Sequence, residues 1–93
     1  MSNFVYLIKN QNTSAVKIGC SKNPRKRLGQ LQTGCPDKLI LLHQIECNKR
    51  PAKHLEKRIQ SWFKKGSLRG EWRVLSLEHL QWLMSFETDA GFW

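Results

Sequence analysis

The stretch Phe4-Val5-Tyr6-Leu7-Ile8-Lys9-Asn10-Gln11-Asn12-Thr13-Ser14-Ala15-Val16-Lys17-Ile18-Gly19-Cys20 decides the fold. Phe4 to Lys9 and Ala15 to Cys20 are rich in aromatic and β-branched residues, which suit the pleated, half-buried surface of a strand. The polar residues Asn10 to Ser14 between them read as the turn of a β-hairpin, with a loop of about five residues. A loop of that length leaves the register open. Because successive side chains point to opposite faces, a slip of one residue decides whether Tyr6 shares a face with Lys17 or with Ile18.

Beyond the hairpin the pattern alternates. Asn23 offers a side-chain oxygen as an N-cap, Pro24 suits the first helical position and Gly34 marks the end, so a short helix is expected from Pro24 to Thr33. Its Leu28 and Leu31 face the core, and Arg27, one turn before Leu31, is placed to reach inward. Leu39 to Cys47 carries the apolar run Leu39-Ile40-Leu41-Leu42 and Ile45 between Pro36 and Pro51, which predicts a buried third strand. From Pro51 the period becomes helical: Ala52, Leu55, Ile59, Trp62 and Phe63 form one stripe, and Gly66 ends it. Glu56 falls on the inward half of that helix, while Lys57, Arg58, Lys64 and Lys65 point outward. Glu71 to Leu75 predicts a short strand or an extended stretch. Ser76 caps a last helix, over about residues 76 to 87, with Leu77, Leu80, Leu83 and Met84 inward. The segment Thr88 to Trp93 carries no pattern that assigns it a place.

These elements predict an α+β fold in which a small three-stranded antiparallel sheet is flanked by helices. The 93 residues are expected to form a single domain, with a core over residues 4 to 75. Lys and Arg total 16 against 7 Asp and Glu, a formal charge of +9. That balance favours a polyanionic partner through phosphate neutralisation and counterion release, with DNA first and RNA second. No apolar run approaches the roughly 18 residues of a membrane span, and no signal core follows the N-terminus, so a cytoplasmic location is expected. Cys20, Cys35 and Cys47 show neither paired nor zinc-ligand spacing, including with His43, so reduced thiols are expected.

The chemistry centres on Tyr6, Lys17, Arg27 and Glu56. A carboxylate facing a core needs compensation, and two partners are open for Glu56: Arg27, in a salt bridge at the core margin, or a divalent metal. Mg²⁺ commonly takes only one or two protein carboxylates, with waters and phosphate oxygens completing its octahedron. Phosphodiester cleavage needs an activated water, charge stabilisation on the non-bridging oxygens and help for the leaving oxygen, tasks that Tyr6, Arg27 and Glu56 can divide. Arg25, Lys26, Arg27, Lys17, Lys57, Arg58, Lys64 and Lys65 are candidate phosphate contacts or a solvated surface. Gln60, Glu71 and Trp72 are candidates to complete the site, Trp72 alternatively plugging the core beneath the final helix.

Phe4-Val5-Tyr6, Lys17-Ile18-Gly19-Cys20-Ser21, Asn23 to Leu28, Leu31-Gln32-Thr33-Gly34, Leu55-Glu56-Lys57 and Gly70-Glu71-Trp72 together resemble the GIY-YIG nuclease superfamily, in particular its phage-type DNA-binding branch shared with meiotically up-regulated proteins. The resemblance implies a site built from the hairpin, the first helix and the long helix. In it Tyr6 acts as general base or water-orienting group, Arg27 steadies the scissile phosphate and Glu56 binds Mg²⁺ or Mn²⁺. Three features depart from the pattern, one being that the asparagine found near the end of many active nucleases has no counterpart. Lys17 stands where a second tyrosine is found, and Gln60 where this branch commonly has histidine; an amide can hydrogen-bond but cannot shuttle a proton. The function expected is a metal-dependent DNA endonuclease, and the alternative is a nucleic-acid-binding module on the same fold without turnover, regulatory or directed to RNA.

Overall fold

A computed structural model describes residues 3–63, 67–69 and 72–93, with the backbone alone described at 67–69. The chain runs β1 (Asn3–Asn10), β2 (Val16–Ser21), α1 (Pro24–Thr33), β3 (Leu39–Cys47), α2 (Ala52–Trp62), β4 (Ser67–Arg69), β5 (Trp72–Arg73) and α3 (Leu77–Met84), and ends in a 3₁₀ turn, Asp89–Phe92. The α+β class is as the sequence indicates. The sheet, however, has five strands in the order β3-β1-β2-β5-β4 instead of three. Every neighbouring pair is antiparallel. The two added strands are only three and two residues long; β5 falls within Glu71 to Leu75, read as a short strand or extended stretch, whereas β4 is too short to show an alternating pattern in the sequence.

Tyr6 pairs with Gly19 and Ile8 with Lys17, so Tyr6 shares a face with Lys17 and not with Ile18. The turn that sets this register is held by Asn10, whose side-chain oxygen accepts from the backbone N–H groups of Asn12 and Thr13. Ser14 adopts a left-handed φ of 63° to bring the chain back. Asn10 also donates to Asp37, which pins the loop to the segment entering β3.

β3 carries the device that lets one apolar run serve both faces. Leu7 faces His43 but Ile8 faces Leu41, so Leu42 is an extra residue in the ladder. Such a bulge reverses the alternation beyond it. Leu39 and Leu41 therefore join Tyr6 and Ile8 beneath Leu28 and Leu31 of α1. Leu42, Ile45 and Cys47 join Val5, Leu7, Val16 and Ile18 beneath Leu55 and Ile59 of α2. The helices α1 and α2 thus cover opposite faces of the sheet, each burying an apolar stripe that would otherwise face water.

Both predicted caps hold: Asn23 accepts from the Lys26 N–H at the start of α1, and Ser76 from the His79 N–H at the start of α3. Leu83 and Leu80 of α3 pack on the α2-side core, but Leu77 and Met84 are exposed, contrary to the expected inward stripe. Trp62, also expected in the buried stripe of α2, is 45% exposed. Phe92 of the tail enters the α2-side core and stacks on Trp62, taking the place at that core which the end of α2 was expected to fill.

Asp89 fixes that tail. Fully buried, its carboxylate accepts from the backbone N–H groups of Asn48, Lys49 and Arg50 and from the Trp93 indole. Burial pushes the carboxyl up, but these hydrogen bonds to its charged form outweigh that and hold it below the ordinary carboxylate range.

Candidate nucleic-acid interface at the β2 edge

Because α1 and α2 lie on opposite faces, groups from both can meet only at a sheet edge. Among the described residues β5 meets β2 only at Val16 and Lys17, so β2 continues past it through Ile18 to Ser21. Gln60, in the last turns of α2, reaches across to this strand. Its amide nitrogen donates to the Ile18 carbonyl at 3.0 Å and to Glu56 Oε1 at 3.2 Å. Glu56 and Gln60 stand one turn apart on the helix, which makes the shared hydrogen bond geometrically natural. The carboxylate is half-buried and held against the backbone of β2.

The next residue, Gly19, is where Tyr6 arrives from the other face. The Tyr6 hydroxyl and ring lie so close over Gly19 that any Cβ there would overlap them. Glycine is required for this approach rather than for a turn. Tyr6 itself is 2% exposed, its ring packed with Ile8 and Leu39. On the same face the Lys17 ammonium lies 5.7 Å from the centroid of the Trp72 ring, a cation–π contact. Trp72 packs on the α1-side cluster, so it does not plug the core beneath α3, which lies on the other face.

Arg27 departs from its expected inward course. It is exposed, and its guanidinium donates to Gln30 at 3.3 Å, one turn on. No ion pair joins it to Glu56 among the described residues, and the partner found for Glu56 is Gln60. Arg25, Lys26, Lys57 and Arg58 are exposed. Lys64, Lys65 and Glu71 lie outside the described residues. Among the described residues no three His, Cys, Asp or Glu side chains cluster as a metal site, so Glu56 would be a single carboxylate ligand.

Comparison with known proteins adds a family. The model of the T5orf172 domain matches residues 3–85, most of the chain. The chain belongs to the T5orf172 domain family. This corrects the assignment to the GIY-YIG superfamily drawn from short motifs. Those motifs perform local structural tasks here: Asn23-Pro24 starts a helix and Gly19 admits a tyrosine. Residues chosen by such local needs describe the elements better than the lineage. The T5orf172 match also extends through α3, beyond the motifs, which stop at Trp72. No curated protein and no solved structure matched the chain. Among the described residues of this T5orf172 domain no helix is long and apolar enough to cross a membrane.

Sequence reasoning missed Gly19 as a constraint on Tyr6, and the pairing of Gln60 with Ile18. The first had a signal, a glycine directly after a strand's apolar run; the second depends on a contact 42 residues apart in the chain.

Proposed function

We propose that this T5orf172 domain binds DNA and hydrolyses its phosphodiester bonds at the β2 edge. The observation that carries the reading is the Gln60 bridge, which holds the Glu56 carboxylate on the β2 backbone at Ile18, beside the Gly19 that accommodates Tyr6. The family is a nuclease-like DNA-binding domain, and the +9 charge suits a polyanion.

The donor set fits Mg²⁺ or Mn²⁺. Glu56 spends one oxygen on Gln60 and keeps the other for a hard cation, with waters and phosphate oxygens as remaining ligands. Bound there, the ion would neutralise charge developing on the phosphate. Gln60 orients the Glu56 carboxylate. Tyr6, buried with its hydroxyl against Gly19, fixes the β2 backbone beside the carboxylate, and only a small movement of it would bring the hydroxyl to a bound water. Arg27, in the first turn of the helix that follows β2, offers positive charge with Lys17 to the non-bridging oxygens. Arg25, Lys26 and Lys57 contact backbone phosphates.

The test incubates supercoiled duplex, linear duplex, single-stranded DNA and RNA with the protein in Mg²⁺, Mn²⁺ or EDTA, beside Glu56→Ala and Arg27→Ala. Expected are metal-dependent nicking of duplex, a loss of at least 100-fold in Glu56→Ala, and DNA binding retained by that variant. Equal cleavage by Glu56→Ala would sink the assignment. Tight binding by the wild-type protein with no cleavage in any metal would leave a binding module, and preference for RNA at moderate salt would redirect the partner.

A further inference from the structure

On the opposite flank of α2 the surface has a different composition. At about 100° per residue, Arg58 and Trp62 lie across the buried stripe from Glu56 and Gln60. Beside them stand Trp82 of α3, Trp93 at the chain end and Arg50 from the loop before α2. Trp62, Trp82 and Trp93 are 45%, 44% and 36% exposed. Such large aromatic rings are seldom left in water without a contact to make.

The arginines are arranged on these rings. The Arg50 guanidinium lies 4.5 Å from the centroid of Trp93, and that of Arg58 lies 5.2 Å from the same ring and 5.6 Å from Trp62. Two cations are thereby brought to one indole in spite of their mutual repulsion. Neither guanidinium donates to a carboxylate or any other acceptor among the described residues. The nearest buried acid, Asp89, is already committed to three backbone N–H groups and the Trp93 indole. The rings thus hold the two guanidiniums in place without using their N–H groups, which can then meet a phosphate. Arg50 also borders an open cleft with Lys49 and Asn3, which extends the positive surface away from the rings.

We propose that Arg50, Arg58 and Trp93, with Trp62 and Trp82 beside them, form a second nucleic-acid contact that takes a single-stranded segment. The guanidinium N–H groups hold successive phosphates, and the exposed parts of the three indoles offer apolar aromatic surface on which unpaired bases pack. Duplex DNA cannot use the second half of this surface, because its bases are stacked on one another. A single strand is therefore the occupant that uses both the charge and the rings. The inference rests on the nucleic-acid reading above but not on cleavage, since the patch lies on the flank of α2 away from Glu56.

The test measures binding of a labelled oligothymidine and of a duplex of equal length, with tryptophan quenching and salt titration. The proteins compared are wild type, Arg50→Ala/Arg58→Ala and Arg50→Lys/Arg58→Lys, after thermal melts show that each is folded. The alanine pair is expected to lose about tenfold or more in single-strand affinity, and its log–log salt slope to fall by about 1.4, two phosphates at roughly 0.7 each. Duplex affinity should change much less. The lysine pair should recover only part of the loss, because a lysine does not stack as a plane. Unchanged single-strand affinity in the alanine pair, or full affinity in the lysine pair, would overturn the proposal. So would a dimer that the alanine pair abolishes while single-strand binding stays intact, which would give the patch to a second copy of the chain. If the wild-type protein binds neither strand form, the nucleic-acid reading itself fails; if it binds and the alanine pair binds equally, only this inference does.

Discussion

The two faces of the sheet are built to different depths. Beneath α2, Val5, Leu7, Val16, Ile18 and Ile45 meet Leu55, Ile59, Leu83 and Phe92, all fully or nearly fully buried. Beneath α1, among the described residues, the buried cluster is Tyr6, Ile8 and Leu39, and Leu28 and Leu31 are half-covered. The deep face is closed by the chain end through Asp89, and the shallow face carries the tyrosine and lysine of the candidate site. Stability resides mainly on one side of the sheet, and polar chemistry is gathered at the other side and at the edge between them.

The strongest way to break this contrast is to unlock the deep face. Asp89→Ala leaves three backbone N–H groups and an indole without their acceptor, and should cost on the order of 3 kcal/mol in urea unfolding. The same carboxylate gives stability a pH dependence. Its folded pKa lies below the unfolded value of about 3.9, so its contribution is complete above that pH and is lost as pH falls through the lower folded value. Asp89→Ala should therefore flatten the acid limb of the stability curve, and an acid limb identical to wild type would contradict the clamp.

Gly19→Ala probes the shallow face. A methyl group there overlaps the Tyr6 hydroxyl, so the tyrosine must shift, at about 2 kcal/mol by the usual cost of overpacking. The loss should be smaller than that of Asp89→Ala, with Tyr6→Phe/Gly19→Ala recovering part of it. A Gly19→Ala loss exceeding that of Asp89→Ala would reverse the ranking of the two faces.

The gentlest comparison leaves the fold intact. Cys35 packs half-exposed on the α1 side, whereas Cys47 is buried on the α2 side. Burial, with the nearby Asp89 and Glu46 charges, pushes its thiol up to about 11. Since the thiolate is the reactive form, a maleimide at pH 8 should label exposed Cys20 first, Cys35 next and Cys47 last, read by mass spectrometry. Equal rates for Cys35 and Cys47 would erase the difference in depth.

Much of the fold was legible because its signals are local. Asn23-Pro24 and Ser76 mark helix starts through a side-chain oxygen and a fixed φ, and Ala52, Leu55 and Ile59 mark the buried stripe of α2. The bulge at Leu42 was not legible, since Leu39-Ile40-Leu41-Leu42 is apolar throughout and shows no alternation to interrupt. Nor was the tail, because Asp89 acts on residues some 40 positions earlier. At the candidate site, Glu56 and Gln60 could be placed on one side of α2 by periodicity, but that Gln60 reaches the β2 carbonyl could not. Arg27 shows the limit of the same method: its helical angle is right, yet a long exposed side chain chose Gln30 as its partner.

The Asp89 clamp also orders events in time. During synthesis the β1–β2 hairpin, α1 and β3 leave the ribosome well before residue 89, so the Asn48 to Arg50 loop must wait with its N–H groups turned to water. Only when residues 89 to 93 have emerged can Phe92 seal the deep face and Arg50 settle on Trp93. Until then the strands and helices already made stand without this closing contact, an opening that cellular proteases can reach.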